Sequence, residues 1–259
     1  MQFCLCEGKA WYNKKLCITK RLFKPMTTKL VLIPGLLCSE VLFAPQIEAL
    51  KDTAEIVVAE TKGMDSITAM ATRLLDENSG EMVIAGLSMG GYVALEVIRL
   101  APERIKGMGL LSTAADQDTD KKKRLRKELI RLSSIGRFKG VTPRLLPQFL
   151  SPAALEDERL TSRVMDMAAE VGQENFALQQ KAIMGRRDQR GHLPDFRRPA
   201  LVLCGELDVL TPPEKSTEMA SLLPHAELVL LPEIGHLSTL EAPEACSAAL
   251  QQLITSSSH

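Results

Sequence analysis

Residues 82–95 read MVIAGLSMGGYVAL and join a short apolar run, a glycine-rich turn and a helical pattern. Ser88 stands in the turn, at the centre of a Gly-x-Ser-x-Gly sequence that has Gly86 and Gly90 on either side. A strand that turns sharply into a helix leaves no room for neighbouring Cβ atoms and strains the backbone of the turn residue. The pattern therefore predicts a serine hydroxyl held at a helix N-terminus, where developing negative charge is favoured. The alternative is an ordinary tight turn whose serine caps the helix.

The composition is that of an ordinary globular protein. The 259 residues, 45% hydrophobic and 25% charged, suit one sizeable domain. Acidic and basic residues are equal in number, 32 of each, so we expect neither a nucleic-acid nor a membrane partner. No apolar run could span a bilayer, and the first nine residues lack the apolar core of a signal peptide. The six scattered cysteines predict free thiols in a reducing cytoplasm, with no metal site.

Residues 1–25 differ from the rest of the chain. They carry six basic residues and no lasting apolar period. We therefore predict a poorly ordered N-terminal extension and a functional start at Met26. An edge hairpin built from residues 16–18 and 22–23 is the alternative interpretation.

From residue 29 onward, apolar runs typical of covered parallel strands alternate with helical patterns. The predicted strands are 30–33, 55–59, 82–86, 107–112, 200–204 and 228–231. The alternation is interrupted once, by helical patterns at 121–132, 142–149, 152–160 and 161–184. We predict an α/β protein with a mostly parallel, doubly wound sheet. Its core comprises residues 26–115 and 195–259, its all-helical insert comprises residues 116–194, and the last polar residues, 256–259, form a loose tail.

A serine nucleophile needs a base, and the base needs a group that orients it. In a parallel sheet such groups meet at the edge where the carboxyl ends of the strands gather. His236 directly follows the strand 228–231 at this edge, whereas His192, His225 and His259 do not lie there. His236 is therefore the predicted base.

The predicted acid is Asp208, which follows the strand 200–204 at the same edge. Glu206 and Asp116 remain competitors, because each also lies just beyond a predicted strand. The chain order of nucleophile, acid and base matches one fold that uses such a trio.

Two backbone amides are predicted to hold the oxygen of a tetrahedral intermediate. Met89 supplies one at the start of the helix, and Leu36 supplies the other from the turn after the first strand. No base is placed for Cys38 nearby, so we interpret that thiol as pocket lining.

With these motifs in order, the sequence resembles the α/β-hydrolase superfamily over about residues 29–254. The motifs are LIPG at 32–35, GLSMGG at 86–91, GELD at 205–208 and GH at 235–236. Two features depart from many members: Pro34 stands where they have histidine, and residues 1–25 poorly supply an N-terminal hairpin. The resemblance implies that the helical insert is a lid over the active site. The members it most resembles are small esterases, enol-lactonases and carbon–carbon bond hydrolases.

The predicted function is hydrolysis of a small carboxylic ester or lactone through an acyl-Ser88 intermediate, with no cofactor. Thioester hydrolysis, carbon–carbon cleavage and perhydrolysis remain open, as does a ligand receptor that keeps the triad. We interpret the basic segment 121–127 as a solvated helix face rather than a patch that binds anions, membranes or a partner. The arginines at 186, 187 and 190 suit hinge salt bridges better than a site for a substrate carboxylate. Apolar lid residues should mostly pack, with a minority lining an acyl pocket: Leu145, Leu146, Phe149, Met165, Met167, Phe176 and Met184.

Overall fold

In the part of the chain that the structure describes, six parallel strands form a single sheet. The computed structural model describes residues 28–135 and 138–258, so the predicted extension 1–25 and its thiols lie outside the described residues. The strands are β1 (Thr28–Ile33), β2 (Ala54–Val58), β3 (Met82–Leu87), β4 (Ile105–Leu111), β5 (Ala200–Gly205) and β6 (Ala226–Leu231). Their order is β2-β1-β3-β4-β5-β6, and every neighbouring pair is parallel. The predicted α/β architecture is confirmed.

Helices cover both faces of the sheet. In the described residues they are α1 (Ala44–Leu50), α2 (Ile67–Glu77), α3 (Met89–Leu100), α4 (Asp120–Ser133), α5 (Pro152–Leu155), α6 (Glu158–Met184), α7 (Pro213–Leu222), α8 (Ser238–Glu241) and α9 (Pro243–Ser256). Short 3₁₀ helices lie at Glu40–Phe43, Pro102–Arg104, Leu146–Gln148 and Arg190–Asp195. Successive residues of β1 enter two different apolar clusters, Leu30 and Leu32 one, Val31 and Ile33 the other. This alternation is what a strand covered on both faces produces.

The edge strand β6 departs from the prediction of burial on both faces. Leu228 and Leu230 remain 38% and 36% exposed. Within the described chain β6 pairs only with β5, so it lies at the end of the sheet and its outer surface is incompletely covered.

Between β4 and β5 the described residues form helices and turns without a strand. The predicted insert 116–194 falls within this interval. Its longest helix, α6, is interrupted at Gly172, where φ is 80°. The helix predicted over residues 142–149 was wrong: turns and a 3₁₀ helix occupy it, because Pro143 and Pro147 each lack an amide donor.

The predicted loose tail was also wrong over its described part. Helix α9 extends to Ser256, and Ser257 is buried. The Ser257 hydroxyl donates to the Leu253 carbonyl at 2.7 Å and lies against Gly107, where a Cβ atom would come within 2.0 Å of it. None of the helices that the structure describes could cross a lipid bilayer, by length and apolar character.

Candidate active site

Ser88 lies between β3 and α3 in a left-handed conformation, with φ 56° and ψ −114°. Such a conformation is strained for a residue that has a side chain. The Ser88 amide donates to the Leu111 carbonyl at 3.0 Å, which helps to hold the turn. The Ser88 carbonyl accepts from the Gly91 amide at 3.0 Å and from the Thr113 hydroxyl at 2.7 Å. The Ser88 side chain makes no capping hydrogen bond to α3, so the turn is not an ordinary serine cap.

The glycines around Ser88 let three backbone segments approach one another closely. A Cβ atom on Gly86 would lie 2.1 Å from the Gly90 carbonyl oxygen, and one on Gly90 would lie 1.9 Å from that of Ile33. A Cβ atom on Gly35 would lie 3.5 Å from the Ser88 Cβ. The loop after β1, which carries the second predicted amide donor, therefore lies beside Ser88.

Asp208 and His236 meet beyond the carboxyl ends of β5 and β6. His236 Nδ1 lies 2.8 Å from Asp208 Oδ2, and each residue is only 3% exposed. The two loops nearly touch, since a Cβ atom on Gly205 would lie 2.2 Å from the Ile234 carbonyl oxygen. A glycine at position 205 is therefore what allows the carboxylate to reach the imidazole.

Five donors surround the Asp208 carboxylate, and one of them is the buried Cys204 thiol, which donates to Oδ2 at 3.8 Å. Oδ1 accepts from the amides of Leu210 and Thr211, both at 2.9 Å, and Oδ2 accepts from the Thr211 hydroxyl at 2.7 Å as well as from His236. Burial by itself would raise the pKa of Asp208, but the charge of His236 and these hydrogen bonds outweigh it and lower the pKa. The ionised carboxylate accepts a hydrogen bond from Nδ1–H, which leaves Nε2 of the neutral imidazole of His236 as a proton acceptor. Thr211 was not predicted, and its only sequence signal is a hydroxyl residue three positions after an acid in a turn.

The competing acids and histidines lie elsewhere. Asp116 accepts a hydrogen bond from a lysine of α7 at 2.8 Å, and Glu206 is exposed. His192 and His225 are exposed, and His259 lies outside the described residues.

A hydrogen bond joins Asp208 to His236, but none joins His236 to the Ser88 hydroxyl among the described residues. Within residues 28–135 and 138–258, neither the Ser88 hydroxyl nor Nε2 of His236 has a hydrogen-bond partner within 3.5 Å. Such contacts are often long without substrate and tighten when it binds. The amides of Leu36 and Met89 also have no acceptor among the described residues, so both can donate to a ligand.

The helical insert between β4 and β5, which we call the lid after the predicted resemblance, contacts the loop after β1 through Gln179 of α6. This side chain is fully buried, and its Oε1 accepts from the Leu37 amide at 3.0 Å while its Nε2 donates to the Thr61 hydroxyl at 3.3 Å. Leu37 has a positive φ of 57°, directly after the predicted donor Leu36. Gln179 could not be identified from a local sequence pattern, because its partner Leu37 lies 142 residues away.

The lid also contacts the loop that carries His236. The Phe149 carbonyl accepts from the His236 amide at 3.0 Å, and the two rings lie 6.4 Å apart between centroids. Nearby, the Glu241 carboxylate accepts from the amides of Ser151 at 2.8 Å and Gly235 at 3.1 Å. Lid and core are thus bonded on both sides of the candidate site.

Two further interpretations can be compared with the structure. Burial raises the pKa of the Cys38 thiol to about 12, so this residue carries no thiolate at neutral pH. At the junction of lid and core, Arg186 pairs with Asp118 at 2.7 Å, and Arg190 pairs with Glu218 at 3.0 Å. Arg186 and Arg190 therefore form salt bridges as predicted, whereas Arg187 is exposed and has no acidic partner within 4.0 Å among the described residues.

Comparison with known proteins identifies the family. A family model described as the alpha/beta hydrolase fold matches residues 60–243. The chain is 28% identical over 243 residues to RutD of Serratia proteamaculans, provisionally named a carbamate hydrolase, covering 85% of this chain and 88% of the relative. It is 25% identical over 211 residues to a pimeloyl-(acyl-carrier protein) methyl ester esterase of Photobacterium profundum, covering 73% of this chain and 77% of the relative.

A similar solved structure is a thermophilic esterase from Thermogutta terrifontis. It superposes with a TM-score of 0.82 at 25% identity, over 90% of this chain and 91% of that chain. The chain belongs to the α/β-hydrolase family, as its motifs and strand order indicated.

Proposed function

We propose that this protein hydrolyses small carboxylic esters or lactones through an acyl-Ser88 intermediate, with Asp208 and His236 completing a catalytic triad. The observation that carries the proposal is the buried 2.8 Å hydrogen bond between Asp208 and His236, at the sheet edge where Ser88 holds its strained turn. Two similar proteins that are named as esterases support ester chemistry.

In the first half of the reaction, Nε2 of His236 takes the proton of Ser88 Oγ as that oxygen attacks the substrate carbonyl carbon. The amides of Leu36 and Met89 donate to the oxygen that becomes negative, and the N-terminus of α3 favours its charge. Asp208 stabilises the imidazolium. Collapse of the intermediate breaks the ester C–O bond, and the leaving alcohol departs with the proton from His236.

In the second half, a water molecule gives a proton to His236 Nε2 and attacks the acyl carbon. The new tetrahedral intermediate collapses, the carboxylic acid departs, and Ser88 Oγ regains its proton from His236. These steps use only the acid–base groups and amide donors of the site.

An apolar acyl group fits the surroundings of this site. Phe149, Met165 and Phe176 of the lid pack against the same apolar cluster as Leu36 and Leu87, which adjoin the nucleophile turn. A methionine adapts to irregular shapes, so the pocket should accept several acyl chains.

A substrate panel tests the proposal. We expect saturable hydrolysis of p-nitrophenyl esters from acetate to decanoate and of simple lactones, and an acyl adduct on Ser88 in rapidly quenched, digested samples analysed by mass spectrometry. A thioester and a 1,3-diketone serve as comparisons and should react more slowly. Binding without turnover of any ester or lactone would indicate a receptor, and preferential cleavage of the diketone would indicate a carbon–carbon hydrolase.

Gln179→Met is expected to lower kcat about 10- to 100-fold with little change in KM. The substitution keeps an apolar stem of similar size but removes the acceptor of the Leu37 amide, which lets the donor loop shift away from the oxyanion position. Exposed Gln173 of the same helix is the matched control, and Gln173→Met should behave as wild type. Thermal unfolding of both variants separates loss of positioning from loss of fold. An unchanged kcat in folded Gln179→Met would contradict a positioning role.

A further inference from the structure

Helix α4 presents apolar side chains on the outside of the lid. Leu125, Leu129, Leu132 and Ile135, just beyond its end, are 60%, 38%, 49% and 61% exposed. Spacings of four and three residues place the three leucines on one side of the helix. We call these four side chains the apolar stripe. Exposed leucines at such spacing differ from the scattered single apolar residues that are normal on a surface.

Unpaired cations border the apolar stripe. Lys121, Lys122 and Arg124 are exposed and have no acidic partner within 4.0 Å among the described residues. Lys121 and Lys122 precede Leu125 by four and three residues and so share its side of the helix, whereas exposed Lys127 lies two residues from Leu125 and therefore on the other side. By contrast, Arg126 turns inward and pairs with Asp118 at 2.6 Å. Because the formal net charge of the whole chain is +0, this helix is a local concentration of positive charge.

We propose that α4 docks on a membrane surface rich in anionic lipids. The apolar stripe enters the boundary between headgroups and acyl chains, and Lys121, Lys122 and Arg124 contact lipid phosphates. A helix with leucines along one side and lysine or arginine around them is typical of helices that lie in the plane of a bilayer surface. This proposal differs from two expectations from the sequence, a solvated helix face and the absence of a membrane partner, and it does not depend on the proposed activity.

Neither residues 1–27 nor a second copy of α4 is expected to cover the apolar stripe, because both carry a net positive charge like α4 itself. Residues 1–27 contain six cations and one anion, Glu7, so they carry the same sign as α4. A second copy of α4 would place its own cations opposite these. Either arrangement would bring like charges together.

The exposed face of α4 is too small for a stable interface with an acidic protein. The 14 residues of α4 form a helix about 21 Å long and about 10 Å wide, which offers a face of about 200 Å². Each partner in a stable protein interface contributes about 800 Å². A lipid surface needs no matching partner surface, because lipids rearrange around an inserted side chain and supply phosphates wherever cations lie.

Co-sedimentation of the full-length protein with vesicles tests the proposal. One vesicle type contains phosphatidylcholine only, and the other contains equal parts phosphatidylcholine and phosphatidylglycerol, each in 20 mM and 500 mM NaCl. We expect binding to the anionic vesicles alone, with a partition coefficient at least tenfold lower in the higher salt. Absence of binding to anionic vesicles in 20 mM NaCl would overturn the proposal, and binding to polyglutamate instead would indicate an acidic partner.

Two sets of substitutions locate the binding on α4. The variants K121Q/K122Q/R124Q and L125S/L129S/L132S should each bind anionic vesicles at least tenfold more weakly. The control R159Q/R163Q/R197Q removes three exposed charges elsewhere and should bind within about twofold of wild type. Thermal unfolding shows that each variant is folded. Wild-type partitioning by either α4 variant, or an equal loss in the control, would overturn the proposal.

Discussion

Ser88→Ala is expected to lower kcat for p-nitrophenyl ester hydrolysis by about 10⁴- to 10⁶-fold. The hydroxyl is the group that would carry the acyl chain, and it makes no capping hydrogen bond to α3. Its removal should therefore abolish the chemistry and leave the fold intact. The amide donors of Leu36 and Met89 remain, so a small rate above the uncatalysed reaction should persist. Steady-state kinetics measure the loss, and mass spectrometry should find no acyl adduct on the variant.

Ser112 offers a matched control for this substitution. It follows β4 at the same edge of the sheet, has a positive φ of 42° and is fully buried. Its hydroxyl has no hydrogen-bond partner among the described residues. Ser112→Ala should therefore keep kcat within about threefold of wild type. Wild-type kcat in purified Ser88→Ala would mean that another group cleaves the ester, and the acyl-Ser88 proposal would fall.

The strands could be predicted because a local run of apolar residues identifies each of them. The runs at 30–33 and 82–86 are continuous and apolar, and burial on both faces needs no knowledge of distant residues. The prediction of burial or exposure failed where contacts with residues distant in the sequence decide it. Residues 228–231 have the same apolar character but lie in the last strand of the described sheet, and polar Ser257 is buried because Gly107 leaves room for it.

The residues of the candidate site could be predicted from the sequence, but the contacts among them could not. The rule that groups meet beyond the carboxyl ends of parallel strands favours Asp208 as the acid but leaves Glu206 and Asp116 as competitors. The structure separates them through contacts that no local pattern contains. Lys215 donates to Asp116 at 2.8 Å, whereas Gly205 allows the loop of Asp208 to approach that of His236.

Asp208→Asn is expected to lower kcat by about 10⁴-fold. Both the Thr211 hydroxyl and Nδ1 of His236 need an acceptor at Oδ2, and asparagine places either an oxygen or an NH₂ group there. An NH₂ group facing Nδ1 favours the tautomer that carries its proton on Nε2, which cannot accept the Ser88 proton. Initial rates at saturating ester between pH 5 and pH 9 measure the loss, which should persist wherever the imidazole is neutral, because raising the pH does not restore the correct tautomer.

The same substitution has a second readout in acid stability. The pKa of Asp208 in the folded protein lies below its ordinary value of 3.8. A lowered folded pKa means that the ionised carboxylate stabilises the fold above about pH 4, and that this stabilisation is lost as the pH falls through the folded pKa. The free energy of unfolding of Asp208→Asn should therefore change less steeply below about pH 4 than that of wild type, as chemical denaturation at several pH values would show.

Asp116→Asn is the matched control for the choice of acid, because it makes the same chemical change one strand away. The substitution weakens a partly exposed ion pair with Lys215, and such pairs contribute little to stability, so kcat should stay within about threefold of wild type. The opposite result, with activity kept in Asp208→Asn and lost in Asp116→Asn, would mean that Asp116 is the acid of the triad. If both variants kept activity, His236 would need no carboxylate, and His236→Ala would then decide whether an imidazole takes part at all.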